Sequence, residues 1–399
     1  MQECYRAVAG VAVVLSLLVV WVPRTAAHGE AAQDAFIRTR TVAFYDVQFS
    51  GTEIQRGEAV VITGKFFMLK EWPTGVDKPG LAFLTAAVPG PVMLVQERWI
   101  NGVFTPGSVT LRQGEEYDFK LILRGRREGR YHVHPMVAVQ GVGPLLGPGV
   151  WITIAGGGAV ANPLTLLNGE TVNLETFALP RIALWHGLAL VLGLAWLLYW
   201  IAQPILRRSL WVASGAEDQI MTRRDRWVAS VLGVLTGVAI LVGFLTTRAS
   251  YPYTIPHQVI KVDIPSGPQP ASFMQIKRAE VHYNPVTRTL TLAGEVTNTD
   301  AQPALLKQFV TSMLTFRNAD LVPRGEHLLV LDPPGAVNPG ETKRLTLMMT
   351  DPIWEQQRLV DLSQPQLRFG GVLIFESATG DQSVTAIDAP LHPYFRSAS

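Results

Sequence analysis

Cysteine is almost missing from this chain: the only one, Cys4, lies among the first 27 residues. Beyond it there is no disulfide, no thiolate–metal bond and no thiol nucleophile. Blue-copper electron-transfer sites, which need a cysteine thiolate, are excluded as well. A metal held by the rest of the chain must bind through histidine, carboxylate, amine or carbonyl groups. Charge is also scarce. Asp, Glu, Lys and Arg make up 17% of residues against 48% hydrophobic, a balance that points to a membrane component. The formal net charge of +2 leaves no basic excess for nucleic acid. No phosphate loop, Rossmann glycine pattern, HExxH or GxSxG occurs, and the GGG at 156–158 leads into ANPLTLL and fits a linker.

What is present begins with an apolar run, AVAGVAVVLSLLVVWV at 7–22, after Arg6 and before Pro23. It is short for a membrane span and is followed by small residues, so a secretory signal peptide over 1–27 is the better reading, with an uncleaved anchor as the alternative. Cleavage after Ala27 places Thr25 and Ala27 at the −3 and −1 positions, whereas cleavage after Ala26 would place Arg24 at −3. His28 is therefore the expected mature N-terminus. Two further runs, 182–201 and 227–246, contain no Asp, Glu, Lys or Arg and reach the roughly 20 residues a bilayer requires. Trp185, Trp196, Tyr199, Trp200 and Trp227 lie near their ends, as interfacial aromatics do. The connecting loop, 202–226, carries Arg207, Arg208, Arg223, Arg224 and Arg226, and the positive-inside rule makes it cytoplasmic. The segments on either side then share the opposite, exported face, which agrees with the leader. His186 lies five residues after Arg181, a depth that suits an interfacial role better than a ligand.

Residues 28–160 alternate β-rich runs such as GEAVVITGKFFML, YDFKLILRG and RYHVHPMVAVQ with Gly/Pro/Asn turns, a spacing that predicts a β-sandwich. RGRREGR reads as a solvated hairpin loop. A linker, 161–181, leads into the first span, and a Pro-rich exit, 247–261, follows the second. Residues 262–399 repeat the architecture in a second predicted sandwich, with AEVHYNPVTRTLTLAGEVTNTD turning at Asn284–Pro285. Its histidines, His282, His327 and His392, are scattered and form no ligand pattern, which suits surface or packing roles.

One histidine pattern stands out. On a strand, residues i and i+2 project to one face, so His132 and His134 in YHVHPM point together while Val133 turns away. Alone, His-x-His is a weak metal signal. His28 strengthens it. As a first residue it offers a free α-amine and an imidazole, which close a chelate ring on one ion, and the amine's ordinary pKa of about 7.7–8.0 lets a metal displace its proton. Three histidines and an amine in a tetragonal arrangement suit Cu(II). Zinc also takes three-histidine sites, and the amine tilts the choice to copper. Glu30 is either a carboxylate that orients a ligand or bound water or an exposed N-terminal side chain.

With these residues assembled, the chain resembles the B subunit of the copper membrane monooxygenases, the methane-oxidising enzymes and their ammonia- and short-alkane-oxidising relatives. The resemblance runs in order along essentially the whole chain. It is carried by HGEAAQDAFIRTRTVAFYD, GKFFMLKEWP, RREGRYHVHPMVAVQGVGPLLGPGVWITI, the two spans and IDAPLHPYF. It implies a mainly β fold: two cupredoxin-like β-sandwich domains, both periplasmic, joined by two transmembrane α-helices in a bacterial inner or intracytoplasmic membrane. It also implies assembly with the A and C subunits as a trimer of heterotrimers, O2 as co-substrate, and His28, His132 and His134 as copper ligands. HVHPM beside VQGVGP resembles methane-type more than ammonia-type members. Some methane-oxidising members place two further histidines where this chain has Ala43 and Phe67, so that additional copper position is expected to be absent. The contrasting expectation is an exported, membrane-anchored copper-binding or structural module without turnover.

Overall fold

The computed structural model describes residues 33–394 except 158–159, 167, 216–219, 253–260, 268, 323 and 364–366. The described chain forms two compact units, one holding both β domains and the other lying within residues 159–256.

A short helix, α1 (Ala35–Arg40), leads into the first domain. One sheet has the order β1 (Val42–Phe49), β3 (Ala59–Met68), β8 (Glu116–Gly125), β5 (Met93–Ile100), β6 (Val103–Phe104). The facing sheet contains β7 (Ser108–Thr110), β4 (Leu81–Ala87), β9 (Gly129–Val139), β11 (Val150–Ala155) and β2 (Glu53–Gln55), with β10 (Gly143–Leu146) paired to β9. This is the expected sandwich. Alternation drives it: in β3 and β8 the inward positions Val60, Ile62, Leu121 and Leu123 are fully buried. Phe44, Phe66, Tyr117 and Phe119 fill the same core, with Phe66 stacked on Tyr117 at 5.2 Å and Phe44 edge-on to Phe119 at 5.8 Å. Such pairs add about 0.5–1.5 kcal/mol each beyond their burial. The RGRREGR stretch forms the β8–β9 turn, as expected.

The second unit begins with a hairpin, β12 (Pro163–Thr165) and β13 (Thr171–Asn173). It continues with α2 (Leu179–Ile201), α3 (Ile205–Ala213) and α4 (Arg223–Ser250). α2 and α4 are long and apolar enough to cross a membrane, and their most apolar windows are entirely unburied within the chain. Trp185 of α2 packs against Gly243 of α4. α4 starts before the expected apolar run because Thr222 caps it. The Thr222 hydroxyl accepts from the Asp225 backbone N–H, and the Asp225 carboxylate accepts from the Thr222 N–H, the reciprocal arrangement that satisfies two orphan donors. Arg208, counted in the sequence as a loop cation, is instead buried and donates to both Asp225 oxygens, at 2.7 and 3.2 Å. His186 is exposed on α2, with Nδ1 donating to the Ile182 carbonyl.

On leaving this unit the chain forms β14 (Lys261–Val262), which pairs in parallel with β7 of the first domain. Residues beyond it still lie on that domain: Asn101 donates to the Pro265 carbonyl, and the Gly267 N–H donates to Glu115. The second domain is built from β15 (Met274–Asn284), β16 (Thr289–Asn298), β17 (Ala304–Thr311), β18 (Leu314–Asn318), β19 (Leu328–Asp332), β20 (Thr342–Thr350), β21 (Arg368–Ser377) and β22 (Gln382–Pro393). These eight strands close into a barrel in the order β15-β16-β20-β19-β18-β17-β21-β22. The expected sandwich thus has its edges joined, which removes unpaired strand edges. Trp354 is its largest fully buried side chain, stacked 4.6 Å from Phe316 with Nε1 donating to the Met349 carbonyl.

The two β domains pack through an apolar cluster of Ala43, Tyr45, Phe67 and Leu69 against Val310, Val372, Ile374 and Val384. Ala43 and Phe67 are direct cross-strand partners, both buried. Beside them the Tyr45 hydroxyl donates to buried Glu116, whose other oxygen accepts from Lys65 at 2.6 Å. Burial and then the Glu116 carboxylate push the Tyr45 phenol well above its ordinary range. Burial opposes the Lys65 charge, but the Glu116 contact outweighs it and the ammonium titrates above its usual value.

Candidate metal centre

β9 carries both histidines of the His-x-His pattern and is held on each side. Its first half pairs with β11, setting His132 opposite Trp151; its second half pairs with β4, setting His134 opposite Ala87. Val133 points into the core, fully buried. The expected common face is therefore present. The His132 and His134 rings lie 4.4 Å apart, nearly perpendicular, with His134 Nε2 only 2.9 Å from His132 Nδ1.

His134 is fixed from three directions. It is 2% exposed. Its Nδ1 lies 2.8 Å from the Gly147 carbonyl, and a carbonyl only accepts, so the proton sits on Nδ1 and the Nε2 lone pair faces His132. Gly149 presses on the ring: a Cβ at that position would lie 2.4–2.6 Å from three ring atoms. Gly147 is equally confined by Phe44 and Pro135. The chain between β10 and β11 therefore passes the ring closely because Gly149 has no side chain. His132 leans on Trp151, with ring centroids 5.0 Å apart, and Arg130 covers the same indole at 4.9 Å.

The pair lines a cavity of about 460 Å³ between the two β domains. Asp46 and Val47 reach it from a bulge in β1, where an extra residue re-aims the strand. The opposite wall belongs to the second domain and includes Gln308, Met313, Arg317, Glu326 and His327. His327 sits in the left-handed region at φ 54°, where histidine is enriched among non-glycine residues. Its Nδ1 is 2.7 Å from Asp351 Oδ2, whose other oxygen accepts from the Ile353 N–H. The sequence offered no reason to join His327 to His132 and His134, because the meeting is made by domain packing. His282 and His392, also read as scattered, are neighbours on β15 and β22 with rings 5.3 Å apart.

His28 and Glu30 lie outside the described residues. Among the described residues no group of three His, Cys, Asp or Glu side chains is arranged to hold a metal, so two donors of the anticipated set are seen together and the rest are not.

Two β domains, two membrane-length helices and a histidine pair in the interdomain cavity define a membrane-anchored β protein. The chain matches the family of monooxygenase B-subunit proteins over residues 29–395. It is 36% identical over 388 residues to the particulate methane monooxygenase alpha subunit of Methylococcus capsulatus, covering 94% of each chain. The crystal structure of the cupredoxin domain of amoB from Nitrosocaldus yellowstonii is 19% identical and covers 33% of this chain and 96% of that one, at a TM-score of 0.26. The chain belongs to the monooxygenase B-subunit family. It is a membrane protein and one component of a monooxygenase complex, with partner subunits to match.

Proposed function

We propose that this chain is the copper-binding subunit of a membrane-bound complex that oxidises methane to methanol with O2, and that His132, His134 and the imidazole and amine of His28 hold the copper. The observation that carries this reading is the 2.9 Å separation of His134 Nε2 and His132 Nδ1. Two imidazole nitrogens this close, on one face of one strand, could share a single ion. The Gly147 carbonyl, which receives the other His134 nitrogen, is the kind of outer partner that fixes a ligating imidazole in its tautomer. Glu30 is assigned to orient a ligand or water at the same site.

Copper, when bound, supplies the oxygen chemistry that protein side chains lack. The chain's own residues hold and aim. Gly149 confines His134, the Gly147 carbonyl accepts from its Nδ1, Trp151 supports His132, and both rings line the interdomain cavity. The partners in this reading are the A and C subunits in a trimer of heterotrimers. Both β domains lie in the periplasm, on the side opposite the arginine-bearing loop.

Metal analysis and electron paramagnetic resonance on the intact complex test the reading. His132→Ala and His134→Ala are expected to lower copper per protomer, and the mature chain should begin His-Gly-Glu. Unchanged copper in both variants would sink the assignment. Turnover with methane, ammonia and short alkanes decides the substrate, and full turnover in copper-depleted His132→Ala complex would reduce this chain to a supporting role.

A further inference from the structure

The barrel of the second domain is closed by its first and last strands. β15 and β22 run parallel there, with Val281 opposite Leu391, His282 opposite His392 and Tyr283 opposite Pro393. In backbone terms this seam is weak. It is short, parallel pairing holds slightly less per residue than antiparallel, and Pro393 brings no N–H to the ladder. Just beyond it the Tyr394 N–H donates to the Tyr283 carbonyl at 2.8 Å. On its other side β22 has a far longer join, running antiparallel to β21 from Arg368 opposite Pro390 to Glu376 opposite Gln382.

The seam carries a side-chain feature that the rest of the barrel lacks. Val281 and Leu391 are buried in the barrel core, so the next residues, His282 and His392, turn outward together. Their rings lie side by side, centroids 5.3 Å apart and tilted by 32°. The His392 ring makes no hydrogen bond or ion pair among the described residues, which leaves both its nitrogens open to a ligand. Glu280 follows a bulge in β15 and stands two residues before His282, on the same face. The side chains of His282 and Glu280 are 44% and 54% exposed, within reach of an ion from solvent. Like charges directly opposite across strands destabilise a pair, so two imidazoles set side by side do nothing for the seam when both are protonated. Sharing one cation between neutral rings turns the same proximity into attraction.

The three side chains do not form a closed cage in this arrangement. Glu280 Oε2 stops 3.7 Å from His282 Nε2. That gap is too long for a hydrogen bond, yet shorter than two metal–donor bonds end to end, about 4.0–4.3 Å for a nitrogen and an oxygen on zinc. Completing the set takes rotation of exposed side chains on strands that stay where they are. Two imidazoles and a carboxylate are a donor set that zinc accepts, with water in the remaining position.

We propose that His282 and His392, with Glu280 as the third donor, form a site for a divalent ion of zinc's class that staples β15 to β22 and secures the closure of the barrel. The site stands apart from the copper assignment above and shares no residue with it.

The test uses the intact complex carrying His132→Ala and His134→Ala, so that the interdomain pair takes no metal. The protein is stripped with chelator and titrated with Zn(II), alone and with His282→Asn, His392→Asn or Glu280→Gln added. Each asparagine removes a ligand and should weaken zinc binding by no less than the roughly 10–100-fold lost with an outer partner, and Glu280→Gln should weaken it less. Zinc-edge X-ray absorption should show imidazole scattering that both asparagine variants lose. Zinc should slow hydrogen exchange at the backbone amides of residues 281–283, 391, 392 and 394 in the parent, since an ion that binds only the closed seam stabilises it, and should leave the asparagine variants unchanged. Without zinc, parent and variants should exchange alike, because the replaced side chains lie outside the core. Zinc affinity indifferent to both asparagines would overturn the site. Binding that follows the histidines while the seam exchanges equally with and without zinc would overturn the staple. Faster exchange in the zinc-free variants than in the zinc-free parent would mean that the histidines hold the seam without an ion, and the proposal fails.

Discussion

Gly149→Ala adds one methyl group at a point where the structure leaves no room for it. The added Cβ would stand 2.4 Å from His134 Cε1, 2.5 Å from Nδ1 and 2.6 Å from Nε2. An ordinary contact is 3.4–4 Å, so the ring must retreat by about 1 Å, and its residue is already only 2% exposed. That retreat pulls Nδ1 from the Gly147 carbonyl at 2.8 Å and Nε2 from His132 at 2.9 Å. Forced overpacking costs about 1–3 kcal/mol, and each lost hydrogen bond about 1 kcal/mol. Together these give a destabilisation of roughly 3–5 kcal/mol. At about 2–4 °C per kcal/mol for a unit of this size, the unfolding temperature should fall by roughly 6–20 °C. Copper affinity should fall at least tenfold, because both nitrogens lose their aim. Gly80→Ala is the matched control: its Cβ meets nothing within 4 Å, so it should be neutral or slightly stabilising through the unfolded chain. Calorimetry and copper stoichiometry on the two variants decide the matter. A Gly149→Ala protein that melts and binds copper like Gly80→Ala would refute the claim that this glycine holds the ring in place.

Further outcomes can be checked on the same preparation. Tyr283 buries a hydroxyl that has no hydrogen-bond partner among the described residues, so Tyr283→Phe should be neutral or stabilise by up to about 1–3 kcal/mol in a denaturant titration; clear destabilisation would contradict this. Burial pushes the Tyr283 phenol up to about 12. A phenol raised in the folded state binds its proton more tightly than in the unfolded chain, so its contribution is intact below about pH 10 and declines by about 1.4 kcal/mol per unit from there to about 12. Tyr45, Tyr117 and Lys65 are raised too and act in the same direction. Stability should therefore drop above pH 10, less steeply in Tyr283→Phe, and a flat alkaline limb would be the contrary result. Asp225→Asn leaves the buried Arg208 guanidinium without its carboxylate and should destabilise the second unit by about 3–5 kcal/mol, visible as faster proteolysis between α2 and α4; wild-type resistance would argue against that pairing.

Local periodicity carried much of the fold. The alternation of TLTLAGEVTN produced β16, and the turn at Asn284–Pro285 falls between β15 and β16 as expected. The two uncharged runs lie within α2 and α4. The His-x-His face was legible because strand period depends on nothing beyond the strand. What escaped the sequence depends on partners far along the chain. Arg40 looks like a surface cation until β22 brings Asp388 to it across 348 positions. Arg208 reads as a loop charge until Asp225 neutralises it. His327 joins the cavity only because two domains pack, and Gly149 matters only because an imidazole fills the space where a side chain would be. Closure of the second domain into a barrel is equally invisible in strand alternation, which is the same for an open sandwich.

The pairing of β14 with β7 constrains the membrane crossing itself. Residues 261–262 share a sheet with residues 108–110, although α2 and α4 intervene between them in sequence. Two segments of one hydrogen-bonded sheet occupy the same aqueous compartment, so whatever path the intervening helices take, they must bring the chain back to the side it left. An odd number of crossings is forbidden by the backbone, without counting a single arginine. The first domain also cannot complete that sheet until the ribosome has passed both helices, so the outgoing and returning strands tie the folding of that domain to the synthesis of α2 and α4.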